Sequence, residues 1–148
     1  ISEAMNWAML GHNVVARKLV KSTCSKGIDI LVQGDKFTPE YKVFSKYLDH
    51  EAEYRINAFK GKVVSIQEKI RRDKAGIFKF KLLYGEPTDP IKEMVEKVYE
   101  RMGLDIFGLD VLADHDGNFN LLEVNSAPSI FGKTAERFVK LIGKELAK

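Results

Sequence analysis

Hydrophobic positions recur with helical spacing in three segments of the chain. Between residues 89 and 103 they recur every three or four residues, which is the period of one helix face; they are Ile91, Met94, Val95, Val98, Tyr99 and Met102. Pro90 suits a first helical turn and Gly103 suits a helix end. A second helix is predicted over about 134–147, with its buried side formed by Phe138, Val139, Leu141, Ile142 and Leu146. A third is predicted at 2–10, capped by Ser2 and closed by Gly11.

Short segments rich in β-branched or alternating apolar residues predict strands. They lie at 13–20, 28–32, 41–48, 53–59, 62–67, 107–113 and 118–125. Lys60-Gly61 predicts a tight hairpin turn, and the sequence 114–117 predicts another. The segment 70–87 has no definite assignment, and a strand inside a mobile loop is one interpretation of it. Because strands and helices mix without regular βαβ alternation, the predicted fold class is α+β.

Composition narrows the class of protein further. The chain has 148 residues, of which 45% are hydrophobic and 30% charged, as in globular domains and unlike disordered chains. The single cysteine, Cys24, excludes an internal disulfide framework. No apolar run approaches the ~20 residues that span a bilayer, and the N-terminus lacks a signal-peptide pattern. We therefore expect a cytoplasmic domain without a membrane segment.

Charge is distributed unevenly along the chain. Lysine and arginine (24) exceed aspartate and glutamate (21) by only three, which does not call for a nucleic-acid partner. Basic residues concentrate between 60 and 81, and acidic residues concentrate between 105 and 123. Two solvated faces would produce this distribution, and so would a phosphate site opposite a metal site.

The last predicted hairpin carries the strongest candidate chemistry. Alternation along a strand places Glu123 and Asn125 on one face, and folding about the turn places Asp110 opposite roughly residues 121–123. Neighbouring carboxylates repel each other, and a hard cation such as Mg²⁺ would relieve this repulsion. The alternative is that Asp110 begins a hairpin edge and Glu123 faces water.

Two further features would suit a phosphate group. The loop KSTCSKG, residues 21–27, is rich in small residues that let backbone N–H groups approach an anion. Cations also lie within apolar strands, at Arg17 or Lys18, Arg55 and Lys69. An ordinary hairpin loop and solvated strand cations are the alternatives.

In order and in detail these features resemble the ATP-grasp superfamily. The segments EYRINAFKGKVVSIQEK and GLDVLADHDGNFNLLEVNSAP carry the resemblance. It is closest to ligases that add amino acids to ribosomal-protein or carrier-protein tails, and to their bacteriophage-encoded relatives. It runs from about residue 13 to 141 and corresponds to the C-terminal two-thirds of such ligases.

The resemblance implies a role for particular residues. The Mg²⁺ ligands would be Asp110, Glu123 and Asn125, and the catalytic cations would be Arg55 and Lys69. The ATP-binding positions would be Arg17 or Lys18, then Ser25, Lys26 and Gly27 in the loop, and Lys46, Tyr47 and Leu48 at the hinge that holds adenine. Lys46 departs from the family, which usually has an acidic residue there.

The resemblance also implies an architecture and an activity. We expect two α+β lobes, 1–48 and 49–148, with antiparallel sheets enclosing the nucleotide. The activity would be ATP- and Mg²⁺-dependent ligation of a small-molecule or peptide carboxylate to an amine, through an acyl phosphate. Alternatives are a phosphotransferase of the same fold and a non-catalytic module that binds nucleotide or nucleic acid. Related ligases carry an additional N-terminal domain, so we expect such a domain or a second chain to complete the acceptor site. The alternatives are that a homodimer completes it or that the chain is a complete minimal enzyme. A phage-encoded protein would act in the host cytoplasm.

Overall fold

The computed structural model describes residues 1–18, 27–71 and 78–147, and these cluster into two compact units. The first unit lies within residues 1–49 and the second within residues 50–147. Two predicted loop residues, Ser25 and Lys26, lie outside the described residues. Within the described residues, no helix is both long and apolar enough to cross a membrane.

The first unit is a small antiparallel sheet with a helix on one face. Its elements are α1 (Ser2–Met9), β1 (Val14–Arg17), β2 (Ile28–Leu31) and β3 (Val43–Lys46), and the strand order is β2-β1-β3. The core consists of small and aliphatic side chains from the helix and sheet: Ala4, Ala8, Val14, Ala16 and Leu31. Helix α1 begins at Ser2 itself and has no side-chain cap, so the predicted capping role of Ser2 is wrong.

The second unit is a five-stranded antiparallel sheet with helices on both faces. Its elements are β4 (Ala52–Phe59), β5 (Lys62–Arg71), β6 (Phe78–Leu83), α2 (Asp89–Met102), β7 (Ile106–Ala113), β8 (Phe119–Asn125) and α3 (Gly132–Leu146). The strand order is β6-β5-β4-β7-β8, so β4 lies at the centre. Together the two sheets confirm the predicted α+β class.

Helix α2 covers one face of the larger sheet. Its buried residues Ile91, Val95 and Val98 pack with the strand residues Ile56, Ala58, Phe107, Leu109 and Val111. The helix ends at Gly103, which adopts the left-handed conformation (φ +62°) as the sequence predicted. The hairpin turn is also confirmed, because Lys60 and Gly61 both have positive φ.

Helix α3 packs on the opposite face of the sheet, at one end only. Phe138 is buried, and its ring lies 6.5 Å from that of Phe59. Thr134 is buried one turn earlier. Val139 and Leu146, which were predicted to be buried, are 70% and 82% exposed. The helix contacts the sheet through a narrow stripe that contains Thr134 and Phe138. Val139 and Leu146 lie outside this stripe.

Candidate functional site

A row of polar side chains crosses three strands of the larger sheet. Arg55 in β4 lies directly opposite Asp110 in β7, and Asp110 lies directly opposite Glu123 in β8. Cross-strand partners share a face of a sheet, so these three residues project together. They project from the face on which α3 packs, because Asn57 and Phe59 follow Arg55 at two-residue intervals. The register of Asp110 with Glu123 agrees with the hairpin prediction.

Arg55 and Asp110 form a bidentate ion pair. The guanidinium donates from Nε to Oδ1 at 2.8 Å and from Nη2 to Oδ2 at 2.7 Å. The two side chains are 23% and 17% exposed, so the pair is largely shielded from water. The hydrogen bond to Asp110 raises the pKa of Arg55 above its ordinary value. The arginine therefore supplies the positive charge that the hairpin carboxylates were predicted to require from a metal.

A second ion pair lies next to the first on the same face. Lys69 in β5 pairs with Glu53 in β4, and Glu53 is two residues before Arg55. The side chain of Phe80 in β6 adds an aromatic wall, since its ring centroid lies 5.1 Å from Cζ of Arg55. Sequence reasoning did not single out Glu53. Its signal was the alternation Glu-x-Arg in a strand, which puts an acid and a base on one face.

Asn125 continues the polar face along β8. It lies opposite Gly108, two residues beyond Glu123, and its Oδ1 accepts a hydrogen bond from the N–H of Ala127 at 3.0 Å. A β-bulge between Asp110 and Val111 interrupts the β7–β8 ladder next to the predicted metal ligands Asp110 and Glu123.

The chemistry of this donor set fits Mg²⁺. Asp110, Glu123 and Asn125 all present oxygen atoms from neighbouring positions of one face. Across the described parts of the chain, no cluster contains three or more His, Cys, Asp or Glu side chains placed to hold a metal. Mg²⁺ is commonly held by one or two carboxylates, its remaining positions being filled by water and substrate phosphates. Two carboxylates and an amide are therefore a sufficient protein contribution.

In the first unit, the adjacent cations Arg17 and Lys18 have different surroundings. The ammonium of Lys18 lies 3.3 Å from Asp29 and 3.5 Å from Glu40, and above the ring of Tyr41. Hydrogen bonds from Tyr41 and Lys18 lower the pKa of Asp29, and the bond with Asp29 in turn raises the pKa of Lys18. The positive charge of Lys18 is thus balanced by two carboxylates of its own unit, Asp29 and Glu40.

Arg17 ends β1 on the sheet face that α1 does not cover. Val14 and Ala16 point toward α1 and are buried, whereas Arg17 is exposed. Its cross-strand partners are Ile28 and Val43. These belong to a partly exposed apolar surface on this face, formed by Val15, Ile28, Ile30 and Val43. We call this surface, together with Arg17, the open face of the first sheet.

The remaining predicted nucleotide positions lie at the edges of the first unit. Gly27 has positive φ, and its carbonyl accepts a hydrogen bond from the N–H of Lys18 at 2.8 Å. Lys46 ends β3 opposite Val14, and its ammonium lies 5.8 Å from the Trp7 ring, on the α1 side of the sheet. The N–H of Tyr47 donates to the carbonyl of Asn13, and Leu48 is exposed.

A buried polar network links the sheet to α3, and sequence reasoning missed it. Asn57 donates to Ser65 at 3.2 Å, and Thr134 donates to the same hydroxyl at 3.2 Å. Gln67, which lies opposite Arg55, donates to Thr134 at 3.4 Å. The network therefore ends one strand away from the Arg55–Asp110 pair.

Comparison with known proteins gives one sequence relative and several solved structures. No family model matches the chain. A D-alanine–D-alanine ligase of Actinobacillus succinogenes is 38% identical over 71 residues, which cover 41% of this chain and 23% of that protein. The chain therefore spans less than a quarter of that relative.

The solved structures match at the level of the backbone. The ATP-grasp ligase PsnB, complexed with minimal precursor, Mg and ADP, superposes with a TM-score of 0.68 at 15% identity, over 92% of this chain and 45% of that one. The macrocyclase MdnC from Microcystis aeruginosa, bound with precursor peptide MdnA, gives 0.62 at 13% identity, over 88% and 46%. The D-alanyl-alanine synthetase A of Vibrio cholerae gives 0.66 at 17% identity, over 86% and 46%. Although it spans less than half the length of these enzymes, the chain has the fold of the ATP-grasp ligases.

Proposed function

We propose that this chain is the nucleotide-binding part of an ATP-dependent carboxylate–amine ligase, with residues 1–48 and 49–148 as its two lobes. One observation carries the proposal: Arg55, Asp110 and Glu123 form a single row on one face of the second unit's sheet. Such a row offers a cation for phosphate oxygens beside carboxylates for a metal. The ATP-grasp fold supports this use of the row.

In this proposal the second unit holds the metal and the phosphates. Asp110, Glu123 and Asn125 are the residues that would bind Mg²⁺, which when bound neutralises charge on the phosphate oxygens. Arg55 and Lys69 donate hydrogen bonds to those oxygens. Both cations are shielded from bulk water and paired with carboxylates, so each would contact phosphate by exchanging its carboxylate partner for a phosphate oxygen.

The first unit supplies the remaining nucleotide contacts. Arg17, which lies on the open face, is the proposed phosphate contact of this unit, whereas Lys18 stays with Asp29 and Glu40. The backbone of Tyr47 and Leu48 would hold adenine, and Ser25, Lys26 and Gly27 are proposed as phosphate contacts. Lys46 points toward Trp7, so we assign its backbone rather than its side chain to the nucleotide.

The proposed reaction needs no protein nucleophile. A substrate carboxylate oxygen attacks the γ-phosphorus of ATP, and ADP leaves with the electron pair of the broken P–O bond. An amine then attacks the acyl carbon, loses a proton and displaces inorganic phosphate. The protein contributes by holding the reacting groups in line, a positioning effect that can supply ~7–11 kcal/mol of the barrier.

The substrates are proposed at the level of chemical class. PsnB and MdnC are described in complexes with precursor peptides, and the synthetase of Vibrio cholerae is named for a dipeptide product. A peptide or small-molecule carboxylate and an amine are therefore the substrates to test, and an additional N-terminal domain or a second chain is the partner to test with them.

The test is a thermal-shift experiment with Mg²⁺-ATP on the wild-type chain and the Glu123→Gln variant. A ligand that binds only the folded state stabilises it by ~2.7 kcal/mol at about 100 times its dissociation constant. We expect this stabilisation in the wild type and its loss in Glu123→Gln, because an amide is a weaker Mg²⁺ ligand than a carboxylate.

The matched control is Glu96→Gln, which removes the same charge from an exposed position of α2. It should respond to Mg²⁺-ATP as the wild type does. An unchanged response in Glu123→Gln would remove this residue from the metal site, and absence of any response in the wild type would refute nucleotide binding. Release of ADP with free phosphate, rather than a stable phosphorylated product, separates a ligase from a phosphotransferase.

A further inference from the structure

We propose that Arg55 makes this face selective for metal that arrives with nucleotide phosphates, by competing with free divalent cations for Asp110. The inference rests on the proposed function and goes beyond it, because it concerns which form of the metal the site accepts. Arg55 would act as a specificity-determining residue as well as a phosphate contact.

The ion pair between Arg55 and Asp110 is complete. Both oxygens of Asp110 accept hydrogen bonds from Arg55, at 2.8 and 2.7 Å. The two residues are direct neighbours in the β4–β7 ladder, so strand register brings them together. A metal that binds Asp110 must therefore displace the guanidinium or bind beside it.

A displaced Arg55 would remain in a shielded position. Its side chain is largely shielded, with Phe80 across one side and β4 beneath it. A free divalent cation at Asp110 would place like charge beside this guanidinium and remove the acceptor of both its hydrogen bonds, leaving Glu53 and Glu123 as the carboxylates near it. Removing one partner from a shielded ion pair carries a large penalty, since the remaining charge keeps its desolvation cost.

A metal–nucleotide complex avoids the cost of leaving Arg55 without a partner. Its phosphate oxygens are anionic acceptors of the planar guanidinium fork. Arg55 can thus exchange a carboxylate for a phosphate while Asp110 exchanges the arginine for the metal. The Lys69–Glu53 pair on the same face allows a second exchange of the same kind, in which the ammonium moves from Glu53 to phosphate.

The experiment measures the binding of Mn²⁺ alone and of Mn²⁺ with ATP, by electron paramagnetic resonance or calorimetry, on the full chain. We expect the wild type to bind free Mn²⁺ weakly. Arg55→Met should bind free Mn²⁺ roughly tenfold to a hundredfold more tightly, which matches the value of one charge-assisted hydrogen-bonded pair. The same variant should bind Mn²⁺-ATP less tightly than the wild type does.

Two controls make the result specific to Asp110. Arg101→Met removes an exposed arginine at the end of α2 and should change neither affinity. Adding Asp110→Asn to Arg55→Met should abolish the gain in free Mn²⁺ affinity. Arg55→Gln provides a second neutral variant in case methionine at this position prevents folding, which far-UV circular dichroism will reveal.

The outcomes separate this inference from the proposed function. If the neutral variants bind free Mn²⁺ no more tightly than the wild type while the wild type binds Mn²⁺-ATP, the inference is overturned and the proposed function stands. A gain that survives Asp110→Asn also overturns it, because the metal is then bound elsewhere. If the wild type binds no Mn²⁺-ATP, the proposed function itself fails.

Discussion

At the scale of single residues, the environment of each cation matters more than its presence in the sequence. Arg17 and Lys18 are adjacent and carry the same charge, yet strand alternation sends them to opposite faces of the first sheet. Lys18 finds two carboxylates and an aromatic ring, whereas Arg17 lies among partly exposed apolar residues. The sequence left both as candidates for phosphate, and the contacts favour Arg17.

The prediction at this scale is that Arg17→Ala and Lys18→Ala have different effects on the affinity for Mg²⁺-ATP. A charge-assisted contact is worth ~1.5–3 kcal/mol, so Arg17→Ala should weaken binding roughly tenfold to a hundredfold. Lys18→Ala should leave binding nearly unchanged and should lower the free energy of unfolding only slightly, because its ion pairs are solvent-exposed. Calorimetric titration and urea denaturation measure the two quantities. Equal, small losses of affinity in both variants would mean that β1 does not contact the nucleotide.

At the scale of elements, close approach of chain segments decides what β7 can contain. Gly108 lies between Asn57 and Asn125 in the ladder, and a Cβ added to it would lie 2.8 Å from Cβ of Pro128. The segment after β8 therefore passes directly over β7, just before Asp110. Glycine is required here for space and not for backbone conformation, since its φ is not in the left-handed region.

The corresponding prediction compares two glycine-to-alanine substitutions. Gly108→Ala should lower the free energy of unfolding by ~1–3 kcal/mol, the usual cost of overpacking a closely packed site. Gly143→Ala lies in α3 with no atom within 4 Å of the added Cβ, and it should raise the free energy of unfolding by ~0.5–1 kcal/mol. Urea denaturation of both variants measures these changes in the free energy of unfolding. A neutral Gly108→Ala would show that Pro128 moves away at little cost.

The sequence pattern predicted where helix α3 lies in the chain but not which of its sides is buried. Its position in the chain was predicted to within two residues at its start and one at its end. Its buried side was not, because α3 carries more apolar residues than a single contact stripe can bury. The hydrogen bonds from Thr134 to Ser65 and from Gln67 to Thr134 anchor the first turn, and Phe138 fills the next. Val139 is left exposed as a result.

At the scale of the whole molecule, the described residues form two hydrophobic cores with no residue in common. One core is built on α1 and the small sheet, and the other on α2 and the large sheet. The single tryptophan, Trp7, packs against the first core, so its fluorescence reports that unit. The longer helices α2 and α3 both belong to the second unit, so far-UV circular dichroism reports mainly that unit.

This division predicts that core substitutions act on one unit at a time. Val95→Ala deletes two buried methyl groups from the second core, at a cost of about 2 kcal/mol, and should lower the unfolding midpoint seen by circular dichroism but not by fluorescence. Val14→Ala should do the reverse, since Val14 is fully buried in the first core. A shift of both signals by either variant would show that the two units unfold as one cooperative body.

Much of this protein's architecture follows from local sequence. Helical periodicity and the Gly103 stop determined α2, the Lys60-Gly61 pair determined a hairpin turn, and strand alternation brought Asp110 opposite Glu123. These features depend on residues near one another in the chain, where backbone preferences and side-chain period suffice to predict them.

Tertiary structure alone decided which opposite charges meet at the candidate site. Arg55 and Asp110 are 55 residues apart, and Lys69 and Glu53 are on different strands, so only the strand order and register of the sheet brought each pair together. The same holds for Lys18 with Asp29 and for the network beneath α3. The local sequence pattern specifies on which face of a strand a charged side chain lies. Its oppositely charged partner comes from a distant segment, so the strand order and register of the whole sheet determine which residue that partner is.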